Sequence, residues 1–448
     1  MPPEITPIPR PTRGGKDAVD YLATYGIQAI EPPVRSSDYN LVLANPLLYL
    51  VIRRFGLVKG LSYSEAKNRG SWYHLLQQFP DDALAHAENR YGQRLVELNT
   101  ACKMYGIEGE TRTNILRREK EDFYFAKALY EAANQVSMGA AYGTMSKYFG
   151  QPHWTLLGTE YNLDWEYEGI KCKAVLDRLY YHENQATLWI PDYKTTTFEA
   201  KLRALSCPIE FQTWHYLNGV RRLLPEIIKR HSLSLNTRVG GMMHIIVQKP
   251  NIKFGSKDCP VLRWQSEGKR SGISGRVVPT NNGYTLTLST EGIASNYPNT
   301  PEGLEEALQT LAEATGKKPE AVRSEEPSYP HFLRRVSDCM LARGEYASDR
   351  AEREANPYVL GSFTTATEVF SEYQNAQYER RLRFIHSHAT RPPYPEDFLS
   401  APDSVLAFGK KSDYASFLLT PPANWPEVVT LERFVSIHRD NPTESEDE

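Results

Sequence analysis

An α/β fold is predicted by two observations: strand patterns gather between residues 154 and 250, and helical patterns lie on both sides of them. The first strand is read over 154–167. Two runs rich in Val, Leu, Ile, Tyr and Trp, at 169–181 and 186–197, flank the polar turn His182-Glu-Asn-Gln185 and read as a β-hairpin. The apolar run Gly241-Met-Met-His-Ile-Ile-Val-Gln-Lys-Pro250 reads as a buried strand.

The helices are read from caps and stops. Residues 37–56 form one helix, with Ser37 or Asp38 as N-cap and Gly56 as stop. Ser62 and Glu65 have the spacing of a capping box, opening a second helix that runs through Arg69-Gly-Ser-Trp-Tyr-His74. Helical patterns follow at 82–98 and from 114 to about 139. Beyond the hairpin a helix starts near Phe198, and Pro208 opens a further one spanning 208–224. Gln212 and Tyr216 are four apart on it and share a face.

At 448 residues, 40% hydrophobic and 24% charged, the chain has room for two domains or one large α/β domain with insertions. The reading divides it into a flexible 1–30, a core with N-terminal helices at 31–260, an inserted hairpin and helix module at 261–328, a mostly helical 329–435 and an acidic tail at 436–448. Asn282-Gly283 marks the hairpin of the module, and 301–315 reads as its amphipathic helix. No apolar run approaches the ~20 residues of a membrane span, so no membrane association is expected. Five scattered cysteines suggest no disulfide framework, and a cytoplasmic location follows as the expectation. A net charge of −3 does not advertise nucleic-acid binding, although a local basic surface can still attract phosphate. Arg112, Arg117, Arg118 and Lys120 cluster on one helix; such a run is more often a solvated face.

The chemistry concentrates in the hairpin. Residues i and i+2 of a strand share a face, so Asp192 and Lys194 project together with Tyr193 opposite. Pairing around 182–185 sets Asp177 beside Asp192. Two close carboxylates repel unless a cation lies between them, and hard oxygen ligands suit Mg²⁺ or Mn²⁺. The Lys194 ammonium can orient an attacking water or stabilise phosphoryl oxygens. Together these groups equip the hairpin for phosphodiester hydrolysis. A lone Asp-x-Lys on a surface hairpin is the bland alternative.

The ordered set Asp177-Arg-Leu, Pro191-Asp-Tyr-Lys-Thr-Thr and Gln212-x₃-Tyr216 resembles the PD-(D/E)XK nuclease superfamily, in its branch with the RecB nuclease domain and exonuclease VIII. The resemblance implies a restriction-endonuclease-like core, a mixed central sheet flanked by helices, with an N-terminal helical region and, here, C-terminal insertions. Asp177, Asp192 and Lys194 would form the catalytic core. Asp177, Asp192, His74 (from Gly70-x₃-His74) and the Tyr193 carbonyl would hold Mg²⁺ or Mn²⁺. Glu160 of the first strand would enter the site, with Asp164 and Glu166 as rivals, and Gln212 and Tyr216 would contact DNA or the catalytic groups. Some relatives hold an iron–sulfur cluster on closely spaced cysteines; that spacing is missing, and no cluster is expected.

The implied activity is that of an exodeoxyribonuclease acting on linear duplex ends or single strands. The alternatives are an endonuclease of the same class, or a catalytically silent DNA-end-binding or recombination accessory protein on the same fold. A phage-type setting in a bacterial cell, a single-strand annealing partner and homo-oligomerisation are further implications. Asp192→Ala or Lys194→Ala is expected to abolish hydrolysis while leaving folding largely intact.

Overall fold

The computed structural model describes residues 15–436 apart from 25–26, 60–64, 79–81, 137, 139–143, 198, 269–271, 290–293, 346–357, 367–370 and most of 394–436. Ser62 and Phe198 therefore lie outside the described residues, as do the acidic tail and most of the N-terminal lead-in.

Tyr161, Leu163, Trp165 and Tyr167 alternate with polar residues, which buries one face of the first strand, β1 (Trp154–Tyr167). It pairs antiparallel with β2 (Ile170–His182), and β2 with β3 (Thr187–Thr196) around a short 3₁₀ turn at Glu183–Gln185. β3 lies parallel to β4 (Arg238–Gln248), whose continuous apolar run fits a strand covered on both faces. Antiparallel to β4 lies β5 (Val359–Thr365), giving the order β5-β4-β3-β2-β1. The sheet is mixed, and helices flank it.

One flank is held by α1 (Glu65–Gln78), α2 (Gly109–Gln135) and α3 (Tyr329–Glu345). Their Tyr73, Leu76, Phe123, Phe125, Phe332 and Val336 join a core with Tyr193, Met243, Ile245 and Val247 of the sheet. On the other, Phe211, Trp214, Leu217 and Val220 of α4 (Phe211–Arg222) and Leu382 of α5 (Glu372–Thr390) meet Leu163, Leu176, Leu188, Ile190 and Met242. α4 runs very close to β1: a Cβ on Gly219 would fall 2.9 Å from the Trp165 ring.

Three features depart from the sequence reading. The helix expected over 37–56 is broken, because Asn45 is extended (φ −162°) and its side chain caps Leu48 at the start of Pro46–Tyr49. The helix expected from Pro208 begins three residues later, after a 3₁₀ turn at Cys207–Ile209. The stretch after Tyr329, expected to be helical, supplies β5. Its Gly, Ser and Thr residues give it little apolar pattern, and its place is set by the register Phe363↔Met243 with β4. The central sheet thus draws on residues beyond 260.

Between β4 and α3 the chain forms a second, five-stranded antiparallel sheet spanning Val261–Glu267 to Glu320–Arg323. Helix Pro301–Thr315 packs on it through Ala307 and Leu311 against Val277 and Leu286. A two-residue turn joins Thr280 to Gly283. Gly283 adopts φ +143°, and a Cβ there would fall 1.9 Å from the Tyr297 carbonyl. Among the described residues, no helix is long and apolar enough to cross a membrane.

His215 of α4 is wholly buried between Trp165 and Phe211, with Nδ1 3.2 Å from the Tyr378 hydroxyl and Nε2 3.2 Å from the Lys173 carbonyl. Burial lowers its pKa to about 4. An unfolded histidine titrates near ~6.5, so between these values the unfolded chain binds more protons than the folded one. Stability is therefore full above that range and falls as pH drops through it. From about pH 7.5 to about pH 5 the loss attributable to His215 is about 2 kcal/mol. Urea unfolding at the two pH values measures it; His215→Gln should flatten the difference, and an unchanged slope would remove His215 as its source.

Candidate active site

The site is built where two strands part. The β2–β3 ladder runs from His182↔Thr187 to Tyr180↔Trp189 and stops there. Carried on at that register, it would set Asp177 opposite Asp192. Instead the Asp177 side chain takes the place of a ladder acceptor, its Oδ2 receiving the Tyr193 N–H at 3.1 Å. α1 crosses at this point and sets His74 Nδ1 3.3 Å from the same oxygen. One turn earlier, Gly70 lies against Thr195 of β3, where a Cβ would meet Oγ1 at 3.6 Å.

On β3 the strand alternation acts as read. Tyr193 is buried towards α1, while Asp192 and Lys194 pair with each other, Nζ to Oδ1 at 3.0 Å. Lys194 also donates to Gln212 Oε1 at 2.6 Å, and Gln212 Nε2 donates to the Tyr216 hydroxyl at 2.9 Å. One turn of α4 thus fixes the lysine's direction. Side-chain exposure rises from 3% at Asp192 through 17% at Lys194 and 23% at Asp177 to 35% at His74. The site is anchored in the sheet at Asp192, and His74 of α1 is the most exposed of these four side chains.

Its electrostatics are those of closely packed opposite charges. Burial alone would raise the Asp192 pKa, but Lys194 and His244 override it and hold the carboxyl well below its usual range. Burial likewise opposes the Lys194 charge, and Asp192 reverses the effect, so its ammonium is held above its ordinary pKa. His74 is raised in the same way: burial lowers it, and the hydrogen bond and charge of Asp177 prevail. Asp192 and Lys194 act on His74, and Asp177 acts on Lys194. The two groups of side chains therefore lie within one electrostatic neighbourhood.

Glu160 stands across from Asp177 in the β1–β2 register, between the pairs Thr159↔Arg178 and Tyr161↔Leu176. It lies on β1 in a left-handed conformation (φ 45°), and its carboxylate accepts from Gln78 Nε2, at the end of α1, at 2.8 Å. Asp164 pairs with Lys173, 3.7 Å away, and Glu166 is exposed. Arg112 donates to Asn99, and Arg117 pairs with Asn114 and Glu121, as on a solvated helix face.

Two residues of the site were not foreseen. His244 of β4 stands in register with Asp192, with Nδ1 3.1 Å from Asp192 Oδ2. Its signal was a lone histidine inside an apolar run, which is legible only once the parallel register is known. Glu210, just before α4, is engaged by Arg203 and Ser206 and feels the Lys194 charge.

The donor set suits a hard divalent cation: two carboxylates from adjoining strands and one imidazole from a helix. Asp177 already has a cation-like neighbour in His74. Both Asp192 oxygens are engaged, by Lys194 and His244, so an ion would share Oδ1 with the ammonium, which a second lone pair permits. Among the described residues, no three His, Cys, Asp or Glu side chains come together as a group that could hold a metal ion. Compared with known families and with curated proteins, the chain matches no family model and no curated sequence.

Proposed function

We propose that the chain is a metal-dependent DNA nuclease of the PD-(D/E)XK type, working as an exodeoxyribonuclease. What supports this reading is that β2 and β3 part beside two side-chain pairs, Asp177 with His74 and Asp192 with Lys194, whose charges act on one another. A structural hairpin needs no acidic residue replacing a ladder carbonyl, and no buried Asp–Lys pair aimed by a glutamine from another element.

Asp177, Asp192, the His74 imidazole and the Tyr193 carbonyl would hold Mg²⁺ or Mn²⁺. Bound there, the ion supplies a more acidic water and offsets the charge of the phosphodiester. Lys194 is held cationic by Asp192, so its task is to donate hydrogen bonds to the attacking water or a non-bridging oxygen, not to remove a proton. Gln212 keeps the ammonium pointed into the site, and Tyr216 keeps Gln212 in place. Water adds to phosphorus and the P–O3′ bond breaks, leaving a 5′-phosphate and a 3′-hydroxyl.

The test is digestion of end-labelled linear duplex, single-stranded and closed circular DNA with Mg²⁺, Mn²⁺ or EDTA. Loss of the linear substrates that requires the metal, with circles spared, is the expected result. Cut circles would make the chain an endonuclease. Binding without cleavage of any substrate would move it to a DNA-end-binding accessory role.

A further inference from the structure

His244 has a property that packing alone does not require. It is 1% exposed in the centre of the sheet, on a strand otherwise composed of Gly, Met, Ile and Val at that depth. A carboxylate can only accept, so the 3.1 Å contact to Asp192 Oδ2 is a donation from Nδ1–H. The ring's other polar neighbour is the Cys207 thiol, a weak partner, and Nε2 meets no nitrogen or oxygen acceptor or donor. Burying a polar ring on so weak a second partner is unfavourable, and an apolar residue would fill the place more cheaply. What the histidine adds is a fixed grip on one oxygen of one carboxylate.

The consequence lies in what remains. Asp192 has two oxygens: Oδ2 is held from below by His244, and Oδ1 faces Lys194. Parallel pairing sets the residues side by side on adjacent strands, so neither backbone can drift from the other without breaking the ladder. Resting on the metal-nuclease reading above, we infer that His244 is a positioning residue that limits Asp192 to one ligating oxygen, favouring Mg²⁺ or Mn²⁺ over Ca²⁺. The selectivity follows from coordination habit. Ca²⁺ takes six to eight oxygens and accepts both oxygens of a carboxylate, whereas Mg²⁺ demands compact octahedral geometry with single oxygens. Groups that orient a metal ligand through hydrogen bonds commonly change metal affinity by about 10–100-fold when removed.

Two measurements on the full chain test this. The first is the imidazole N–H spectrum of the wild type by NMR, which does not depend on any metal. A slowly exchanging Nδ1–H signal should be present, vanish in His244→Asn and shift in Asp192→Asn. Its absence from the wild type would overturn the inference. The second is calorimetric titration with Mn²⁺ and with Ca²⁺. His244→Asn keeps a side-chain N–H donor at the same reach and should stay near wild type. His244→Leu should bind Mn²⁺ about 10–100-fold more weakly, with Ca²⁺ losing less. Equal Mn²⁺ binding by wild type and a folded His244→Leu would sink this inference alone, as would parallel loss in both variants. A wild type that shows the N–H signal yet takes up no Mn²⁺ would sink the metal reading itself, and this inference with it.

Discussion

Asp192→Asn should reduce DNA hydrolysis by about 10³-fold or more, the scale expected when a principal charge contact of the transition state is removed. The same substitution should also lower stability, which the sequence reading did not anticipate. Asp192 lies between Lys194 and His244 and is 3% exposed, so its charge is the counterion for both. Removing one partner of a buried pair typically costs about 3–5 kcal/mol, because the other charge is left uncompensated. Asp192→Ala is therefore a poor test of catalysis: loss of activity would be confounded with loss of fold. Lys194→Met is cleaner. It leaves the Asp192–His244 contact in place and removes only the group aimed by Gln212, so activity should fall by about 10²–10³-fold with a smaller change in melting temperature. Single-turnover cleavage alongside thermal unfolding separates the two effects. Wild-type rates in a folded Lys194→Met chain would remove Lys194 from the mechanism.

The sequence carried the hairpin, the shared face of Asp192 and Lys194 and the helix face of Gln212 and Tyr216, because each follows from a local periodicity. Asp177 was placeable because the hairpin turn sets the register, and Tyr180↔Trp189 continues arithmetically to Asp177 and Asp192. What was illegible depends on pairings between distant segments. His244 became a neighbour of Asp192 through a parallel crossover, and β5 joined the sheet across an inserted module. Neither leaves a periodic trace. Glu160 is legible from its place on the first strand: the β1–β2 register sets it across from Asp177, and its carboxylate accepts from Gln78, one turn beyond His74.

Arg178, the residue after Asp177, should prove the most consequential side chain outside the proposed reaction. The residue is 5% exposed, and its guanidinium donates from Nε to the Gln77 carbonyl at 2.7 Å and from Nη1 to the Tyr180 hydroxyl at 3.4 Å; Nη2 also donates to the Gln77 carbonyl. The Tyr193 ring lies 5.3 Å from it. Gln77 is in the last turn of α1, where backbone carbonyls lack helical partners and the helix dipole is negative, so a cation is stabilised there. The arginine thus ties the end of α1 to β2, one residue beyond Asp177. Since α1 also carries His74, the same tie sets the His74–Asp177 distance. Arg178→Met keeps the apolar stem but strands the Gln77 carbonyl, and should lower stability by about 2–4 kcal/mol. Arg178→Lys should recover part of that, because an ammonium cannot reproduce the two-pronged donation to one carbonyl. With α1 loosened, His74 should leave Asp177, and a displacement on the order of 1 Å is enough to cost about 10²-fold in rate. Amide hydrogen exchange along residues 65–78 reads the first effect directly. Protection should fall there before it falls in β3 and β4. Unchanged α1 protection with normal cleavage in Arg178→Met would show that the helix is held by its apolar face alone.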